Sequence, residues 1–522
     1  MTESDRRQRA GATAVGSGIL LSRITGLLRD VTFAAFLGTG LLADAYWAAL
    51  RIPNIIRNLL GEGTLSASFV PVYSDLLAHP EKSSTSPSRL AQSVLAAVLS
   101  LALLLSGAGI IAAPWLTRLV APGFDPVATE LTTSLVRILF PMAGVFIVGG
   151  WCLGILNSHR RFFLPYVAPV AWNMCQIIGL LLAWRLGAES LVHVLAWSAL
   201  AGALVQVTVQ LPATRRLAGT IRPSWRTVPA ETTRVLRNAL PVVSSQGIYQ
   251  ISSLVEVTVA SIVGLGAVSA LGYSQRLMYL PISLFGVSIA VAALPEMSRE
   301  TRTEAVRARI VNGFFQILFF VLPAAVVFIL FGDLVVRVLL QRGAFGNEST
   351  AIVSIVLLVY GVGLVASSSN KLFASGFHAL QDTATPMRVA MVAVSSGIVV
   401  SVGSAMAMKS AGYGAMSAAG IALGGVFGAW LNLTLLWHKL GHQLGGLLDP
   451  AARTGLIRLS AGCLAAAAVA WPVRMWLEAM VGVSGSMPAA VVLTGALVAG
   501  AVPYLLIVRR PPKPVMDSGD LE

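Results

Sequence analysis

Residues 90–113 read LAQSVLAAVLSLALLLSGAGIIAA, a run of 24 residues without a charged side chain. About 20 apolar residues in a helix cross the hydrocarbon core of a bilayer, so this stretch predicts a transmembrane helix. The rest of the chain has the same character, because 56% of its 522 residues are hydrophobic and 11% are charged. A soluble domain carries about 25% charged residues. The composition therefore excludes a soluble, a disordered, a coiled-coil and a disulfide-rich secreted protein.

Apolar runs separated by short polar turns predict an all-α polytopic membrane protein with about 14 transmembrane helices. The approximate spans are 13–37, 43–73, 90–113, 132–156, 165–186, 191–212, 239–262, 267–295, 310–332, 350–376, 387–408, 414–437, 458–478 and 488–508. An even number of spans places both termini on one side of the membrane.

The distribution of basic residues predicts which side that is. With the N-terminus inside, the inner segments hold 24 lysines and arginines, and the outer segments hold six. The outer ones are Arg118, Arg185, Arg337, Arg342, Lys409 and Arg474. Cytoplasmic loops collect basic residues, so both termini are predicted to be cytoplasmic. The same bias accounts for the net charge of +14, and no nucleic-acid partner is expected.

Short landmarks repeat along the chain at offsets of about 220 to 224 residues. The pairs are 71–74 with 295–298, 123–124 with 343–345, and 154–165 with 376–386. The repeat predicts two six-helix lobes of the same orientation, related by a parallel pseudo-twofold axis along the membrane normal, plus a C-terminal helix pair. The predicted organisation is an N-lobe at 1–212, a basic cytoplasmic linker at 213–238, a C-lobe at 239–437, the extra pair at 438–508 and a cytoplasmic tail at 509–522.

The first two spans carry an unusual number of charges. They are Arg23, Arg29, Asp30, Asp44, Arg51, Arg57 and Glu62. A charge at the bilayer centre costs about 2.5–3.5 kcal/mol, so such residues face a protein interior or a watery cavity. Because a guanidinium binds phosphate oxygens bidentately, this residue type indicates an anionic head group. The alternative is a set of intramembrane ion pairs and interfacial anchors, which is favoured for Arg51 and Asp44.

Two further charges lie in the seventh and eighth spans. Arg276 would complete a cationic clamp if it faced the arginines of the first lobe. Glu256 is a candidate for binding a proton or a monovalent cation, and its alternative role is that of a protonated acid or a salt-bridge partner. His438 and His442 are four residues apart without an evident third ligand, so no metal site is expected. The chain shows no nucleotide-binding loop, and no cofactor is expected.

Several motifs are similar to those of a known family. Residues 22–30 read SRITGLLRD, residues 52–57 read IPNIIR, residues 276–278 read RLM and residues 381–386 read QDTATP. Over residues 13–440 the chain closely resembles the MurJ/MviN family of lipid II flippases, within the multidrug/oligosaccharidyl-lipid/polysaccharide exporter superfamily. The resemblance implies substrate-binding roles for Arg23, Arg29, Arg57 and Arg276. Asp30, Asp44, Arg51, Asn54 and Glu62 are assigned to support of the cavity.

Two positions depart from the family pattern. Some relatives carry an acid three residues after the arginine of span 8, where this chain has Tyr279. Some relatives also bind sodium through an acid in span 7 and Asn or Asp in span 11. Glu256 could supply the first of these, whereas span 11 offers only serines such as Ser395 and Ser401, so a sodium site is not expected.

The resemblance implies a transporter rather than an enzyme. It would carry the undecaprenyl-pyrophosphate-linked peptidoglycan precursor from the inner to the outer leaflet of the bacterial plasma membrane by alternating access. The expected partners are lipid II, the bilayer, and cell-wall synthesis and division proteins, with coupling to membrane potential or a monovalent cation. Two alternatives stay open: a related exporter of another polyprenyl-linked glycan or a drug, and an integral-membrane glycosyltransferase or polymerase. The second would require acidic residues in a sizeable outer loop.

Overall fold

The computed structural model describes residues 3–79, 81, 85–187, 190–219, 222–225, 230–299, 303–447, 450–482 and 485–508. All elements in these ranges are helical. Contacts divide the chain into two compact units, of which the first comprises Met1–Phe33 and Gly40–Ile262. The second comprises Ala34–Thr39 and Val263–Glu522.

Ten α-helices begin in the first unit. They are α1 Glu3–Leu37, α2 Leu41–Ala49, α3 Arg51–Leu60, α4 Glu62–Ala78, α5 Pro87–Val120, α6 Pro126–Ser158, α7 Phe163–Val167, α8 Pro169–Arg185, α9 Leu191–Ala218 and α10 Ala230–Val263. Eight follow in the second unit: α11 Ala267–Pro281, α12 Ser288–Arg299, α13 Thr303–Leu340, α14 Asn347–Ala379, α15 Ala384–Ser410, α16 Ala418–Gln443, α17 Pro450–Val481 and α18 Ser486–Val508. A π-helical turn, Ile282–Val287, joins α11 to α12.

Eleven helical segments among the described residues are long and apolar enough to cross a membrane. They correspond to the predicted spans 3–6 and 8–14, so the all-α membrane architecture is confirmed. The remaining three predicted spans, 13–37, 43–73 and 239–262, are those that carry most of the intramembrane charges. In the last of them the described residues Gln250–Val263 form an apolar helical segment within α10. These three stay predictions as membrane-crossing helices.

The predicted span 43–73 is not a single helix. The chain divides into α2, α3 and α4, with breaks at Leu50 and Gly61. Pro53 has no N–H group and cannot donate to the carbonyl four residues earlier, which accounts for the first break. Gly61 has a non-helical backbone (φ −86°, ψ −131°), which accounts for the second. The breaks let the charged segment between them turn away from a straight path.

Local sequence sets where the long helices of the first unit begin. Ser86 and Asp125 precede prolines at the first helical position of α5 and α6. The Asp125 carboxylate accepts a hydrogen bond from the backbone N–H of Ala128 at 2.7 Å. Such caps satisfy amides that lack an intrahelical partner, and proline at this position sacrifices none.

The turns after α6 and α14 have the same geometry, 221 residues apart. Arg160 and Gln381 both adopt positive φ, at 57° and 61°. The next residue donates its N–H five residues back in each case, Arg161 to Leu156 at 2.8 Å and Asp382 to Phe377 at 2.9 Å. This is the Schellman pattern that closes a helix C-terminus. A repeated landmark of the sequence is therefore also a repeated backbone conformation.

The C-terminal pair, α17 and α18, packs on α13. Phe331, Leu334, Val492 and Ala496 are buried in one apolar cluster. The Tyr504 hydroxyl donates to the carbonyl of Phe319 at 2.6 Å. Arg474 on α17 binds Asp333 on α13 through two hydrogen bonds of 3.0 and 2.7 Å. One polar contact at either end of the pair thus adds to the apolar packing.

Candidate functional site

Arg29 lies in the interior of the first unit. Arg29 is 4% exposed, and the neighbouring Asp30 is 6% exposed. The Asp30 carboxylate accepts from Nε of Arg29 at 3.1 Å and from Nη2 at 2.8 Å. Burial of an unpaired guanidinium in a membrane-spanning protein is costly, so the adjacent acid stabilises its charge. The acid that pairs with Arg29 is thus its immediate neighbour in the sequence.

Asn173 on α8 holds the other side of the guanidinium. Its Oδ1 accepts from Nη1 of Arg29 at 2.9 Å. Its Nδ2 donates to the carbonyl of Ser22 at 3.3 Å and to Oγ1 of Thr25 at 3.1 Å. The three bonds tie α8 to α1, and they use both ends of the amide.

Two aromatic rings connect Arg29 with Arg57. The Arg29 guanidinium lies 4.9 Å from the centroid of the Trp172 ring. Trp172 meets Phe146 of α6 in an edge-to-face contact with centroids 5.6 Å apart. Arg57 on α3 lies over Phe146 at 5.1 Å. Cation–π contacts of this kind contribute about 0.5–2 kcal/mol each. Two of the four arginines assigned to substrate binding therefore rest on one pair of touching rings.

Two supporting residues lie in α2 and α3. Asp44 is fully buried, and Asn54 in α3 is half-buried. Tyr46, two residues after Asp44, donates to Oε1 of Gln176 on α8 at 3.1 Å. Its ring contacts Phe33 with centroids 5.5 Å apart. The same helix α8 thus anchors both α1 and α2.

Arg51 has its contacts on α10. Its Nε donates to the carbonyl of Ser253 at 2.7 Å, and its Nη2 lies 3.8 Å from Oε2 of Glu256. Both side chains of the ion pair are 21% exposed. The geometry agrees with the salt-bridge alternative for Glu256. Its role in ion coupling stays a prediction.

The remaining assigned residues are more dispersed. Arg23 is exposed on α1, and Arg276 is half-buried on α11 of the second unit. Tyr279, the departure from the family pattern, is 52% exposed. The Glu62 side chain lies outside the described part of the structure. The structure thus brings together Arg29, Asp30 and Arg57 through Trp172 and Phe146. The substrate-binding roles of Arg23, Arg29, Arg57 and Arg276 all stay predictions.

Sequence reasoning missed the contribution of α8. Trp172, Asn173 and Gln176 surround the Arg29 and Tyr46 contacts, and Asn173 and Gln176 are 3% and 1% exposed. Two amides three residues apart share a helix face. Their occurrence in an otherwise apolar span was the available signal, because a buried amide requires hydrogen-bond partners.

Among the described residues, no group of three or more His, Cys, Asp or Glu side chains could hold a metal ion. His438 and His442 lie with their Nε2 atoms 3.3 Å apart on α16.

Outside the membrane-spanning segments, burial lowers the pKa of His159, whose Nε2 lies 3.3 Å from the Tyr73 hydroxyl.

Comparison with known proteins places this arrangement in a family. The family model described as lipid II flippase MurJ matches residues 33–492. The chain belongs to this family. A probable lipid II flippase MurJ of Rhizobium meliloti is 34% identical over 88% of this chain and 86% of its own. The lipid II flippase MurJ of Burkholderia cenocepacia is 30% identical over 88% of this chain and 87% of its own.

Solved structures agree on the fold. A lipid II flippase MurJ in an inward closed conformation superposes with a TM-score of 0.79 at 22% identity, covering 95% of this chain and 98% of that one. An inward-facing MATE family transporter of the MOP superfamily gives a TM-score of 0.61 at 18% identity, over 80% of this chain and 98% of its own. Family membership and the many apolar helices together make this chain a multi-pass protein of the bacterial inner membrane.

Proposed function

We propose that this chain carries lipid II from the inner to the outer leaflet of the plasma membrane by alternating access. Lipid II is the undecaprenyl-pyrophosphate-linked disaccharide-pentapeptide used in peptidoglycan synthesis. The proposal is supported by membership of the MurJ family over most of the chain. The observation that carries it is the pair of arginines, Arg29 and Arg57, held on the linked rings of Trp172 and Phe146 inside a membrane protein.

The two arginines differ in their accessibility to a pyrophosphate. Arg57 is half-buried, and its guanidinium lies on the face of Phe146. Arg29 is buried and bonded to Asp30. Because Arg57 is the more exposed of the two arginines, we assign the first phosphate contact to Arg57. Engagement of Arg29 then requires the phosphate to displace the Asp30 carboxylate, an exchange of one anionic acceptor for another.

The orientation and the energy source complete the proposal. Both termini lie in the cytoplasm, and cell-wall synthesis and division proteins use the exported precursor. The negative interior potential drives the anionic head group outward, by about 2.3 kcal/mol per charge per 100 mV. Collapse of the potential with an ionophore at constant pH is expected to slow the appearance of lipid II in the outer leaflet within minutes. Unchanged flipping would overturn this energy source.

Depletion of the protein tests the substrate directly. Lipid II is expected to accumulate in the inner leaflet, as measured by extraction and by accessibility to a membrane-impermeant probe. Accumulation of a different polyprenyl-linked carrier would overturn the proposal in favour of a related exporter. Re-expression of the wild-type chain is the control, and it should restore lipid II to the outer leaflet.

A further inference from the structure

The amide of Asn173 has a fixed orientation. Its Nδ2 donates to the Ser22 carbonyl and to the Thr25 hydroxyl, so Oδ1 must face Arg29. A reversed amide would direct its N–H groups at a guanidinium, which has only donors. With the residue 3% exposed, water cannot compensate for that error. The local network therefore specifies both the position and the polarity of the group that meets Arg29.

The next residue along α8 fixes the plane of the same guanidinium. Trp172 lies under Arg29, and its Nε1–H donates to the carbonyl of Ala199 on α9 at 3.0 Å. At Gly202 a Cβ atom would lie 3.0 Å from the Trp172 carbonyl oxygen and 3.1 Å from its ring, so glycine there makes room for the indole. Two consecutive residues of α8 thus set the in-plane bonding and the stacking of one arginine.

The charge of these neighbours matters as much as their geometry. Asn173 supplies an acceptor without a charge, so the carboxylate in direct contact with Arg29 is that of Asp30. An incoming pyrophosphate then competes with one carboxylate. A second carboxylate at position 173 would repel the phosphate and hold the guanidinium more tightly.

We propose that Asn173 is a positioning residue that orients the Arg29 guanidinium for the pyrophosphate of the substrate, with Trp172 holding the plane of that guanidinium. This inference rests on the proposed function, since it names the part of α8 that prepares Arg29 for the anion. Asn173 acts through Arg29, by aligning its fork before binding, which lowers the ordering cost of forming two parallel N–H···O bonds.

The experiment compares two carriers that share a tail and differ by one phosphate. Binding of undecaprenyl pyrophosphate and of undecaprenyl phosphate to the purified full chain is measured by native mass spectrometry. The ratio of the two dissociation constants cancels effects on tail binding and on the fraction of folded protein. The wild-type chain is expected to prefer the pyrophosphate.

Asn173→Leu is the main variant, because leucine has a similar branched shape without the polar atoms. It is expected to lower the pyrophosphate preference by about tenfold. The matched control is Asn370→Leu, since the Asn370 amide also joins two helices, donating to the Ala429 carbonyl at 3.1 Å. That control should keep the wild-type preference even if its melting temperature falls.

Further variants keep the inference testable if Asn173→Leu does not fold. Asn173→Asp retains the acceptor and adds a charge, and it should weaken binding of the pyrophosphate more than of the monophosphate. Trp172→Phe should restore most of the preference that Trp172→Leu loses. A wild-type preference in the folded Asn173 variants would overturn the positioning role. Absence of any preference in the wild-type chain would instead count against the proposed function.

Discussion

Arg29 in the first unit and Arg474 in the second make the same kinds of contact. Arg29 lies 5.5 Å from the Phe33 ring and 4.9 Å from the Trp172 ring, and it is bonded to Asp30. Arg474 lies 5.7 Å from the Phe331 ring and 5.3 Å from the Trp471 ring. Each is a cation held on a phenylalanine and a tryptophan within apolar helices.

The acceptors around the two arginines differ. Arg474 binds Asp333 with both Nη atoms and Glu478 with Nε at 2.8 Å, so two carboxylates face one cation. It also donates to the Leu330 carbonyl at 2.5 Å, beside Phe331, where α13 departs from helical geometry. Arg29 has one carboxylate and one neutral amide as hydrogen-bond partners. Two carboxylates repel an incoming anion, so the contacts of Arg474 suit a structural ion pair. Arg29 is bonded to a single carboxylate, which an anionic ligand can replace.

The largest expected effect concerns the arginines assigned to the substrate. Arg23→Ala, Arg29→Ala and Arg276→Ala should each abolish complementation of a depleted strain while the protein still reaches the membrane. The reason is the loss of charge-assisted phosphate contacts, which contribute more than neutral hydrogen bonds. Growth and membrane abundance are measured together. Normal growth with all three variants would contradict a substrate-binding role for Arg29, whose role would then be structural, like that of Arg474.

Arg474 should show the opposite behaviour. Arg474→Leu leaves Asp333 and Glu478 without their cation, and it is expected to lower the free energy of unfolding by about 2 kcal/mol. Asp333 is 36% exposed in its side chain, which keeps the cost below that of a fully buried pair. Thermal unfolding of the purified chain measures this loss. Lipid II flipping per folded molecule should stay at the wild-type level, and a selective loss of flipping would contradict a purely structural role.

Arg51 provides a further case, since a carboxylate at 3.8 Å and a backbone carbonyl are among its partners. Glu256→Gln removes the carboxylate and keeps a side chain of the same size. We expect it to reduce the rate of flipping by a few-fold and to change its pH dependence, while the affinity for lipid II is retained. Flipping assays at several pH values measure this. Wild-type rates at every pH would exclude a proton or cation role for Glu256.

The sequence predicts the all-α architecture, because a long apolar run leaves a helix as the only way to satisfy its backbone in lipid. It also indicates Arg29 and Arg57, since intramembrane charges are costly and therefore noticeable. It does not predict that Arg29 meets Asn173, which is 144 residues away. That contact depends on the rotation and packing of α1 and α8. Helix packing also decides the contacts of Arg474. The sequence shows it only as one of six outer basic residues and does not predict that it joins α17 to α13.

The smallest expected effect comes from the tryptophan under each arginine. Trp172→Leu and Trp471→Leu each remove one cation–π contact, which contributes about 0.5–2 kcal/mol, and each leaves the ion pair in place. Trp471→Leu should lower the melting temperature of the chain and leave flipping per folded molecule unchanged. Trp172→Leu should reduce flipping by a few-fold, because the Arg29 guanidinium loses the surface that fixes its plane and Phe146 under Arg57 loses its neighbour. Trp115, which is 66% exposed, supplies a control variant Trp115→Leu without an arginine contact among those described. Equal effects of Trp172→Leu and Trp471→Leu on flipping, after correction for folded protein, would show that the contact between tryptophan and arginine does not distinguish the functional site from the structural one. The distinction between the two arginines would then rest on their acceptors alone.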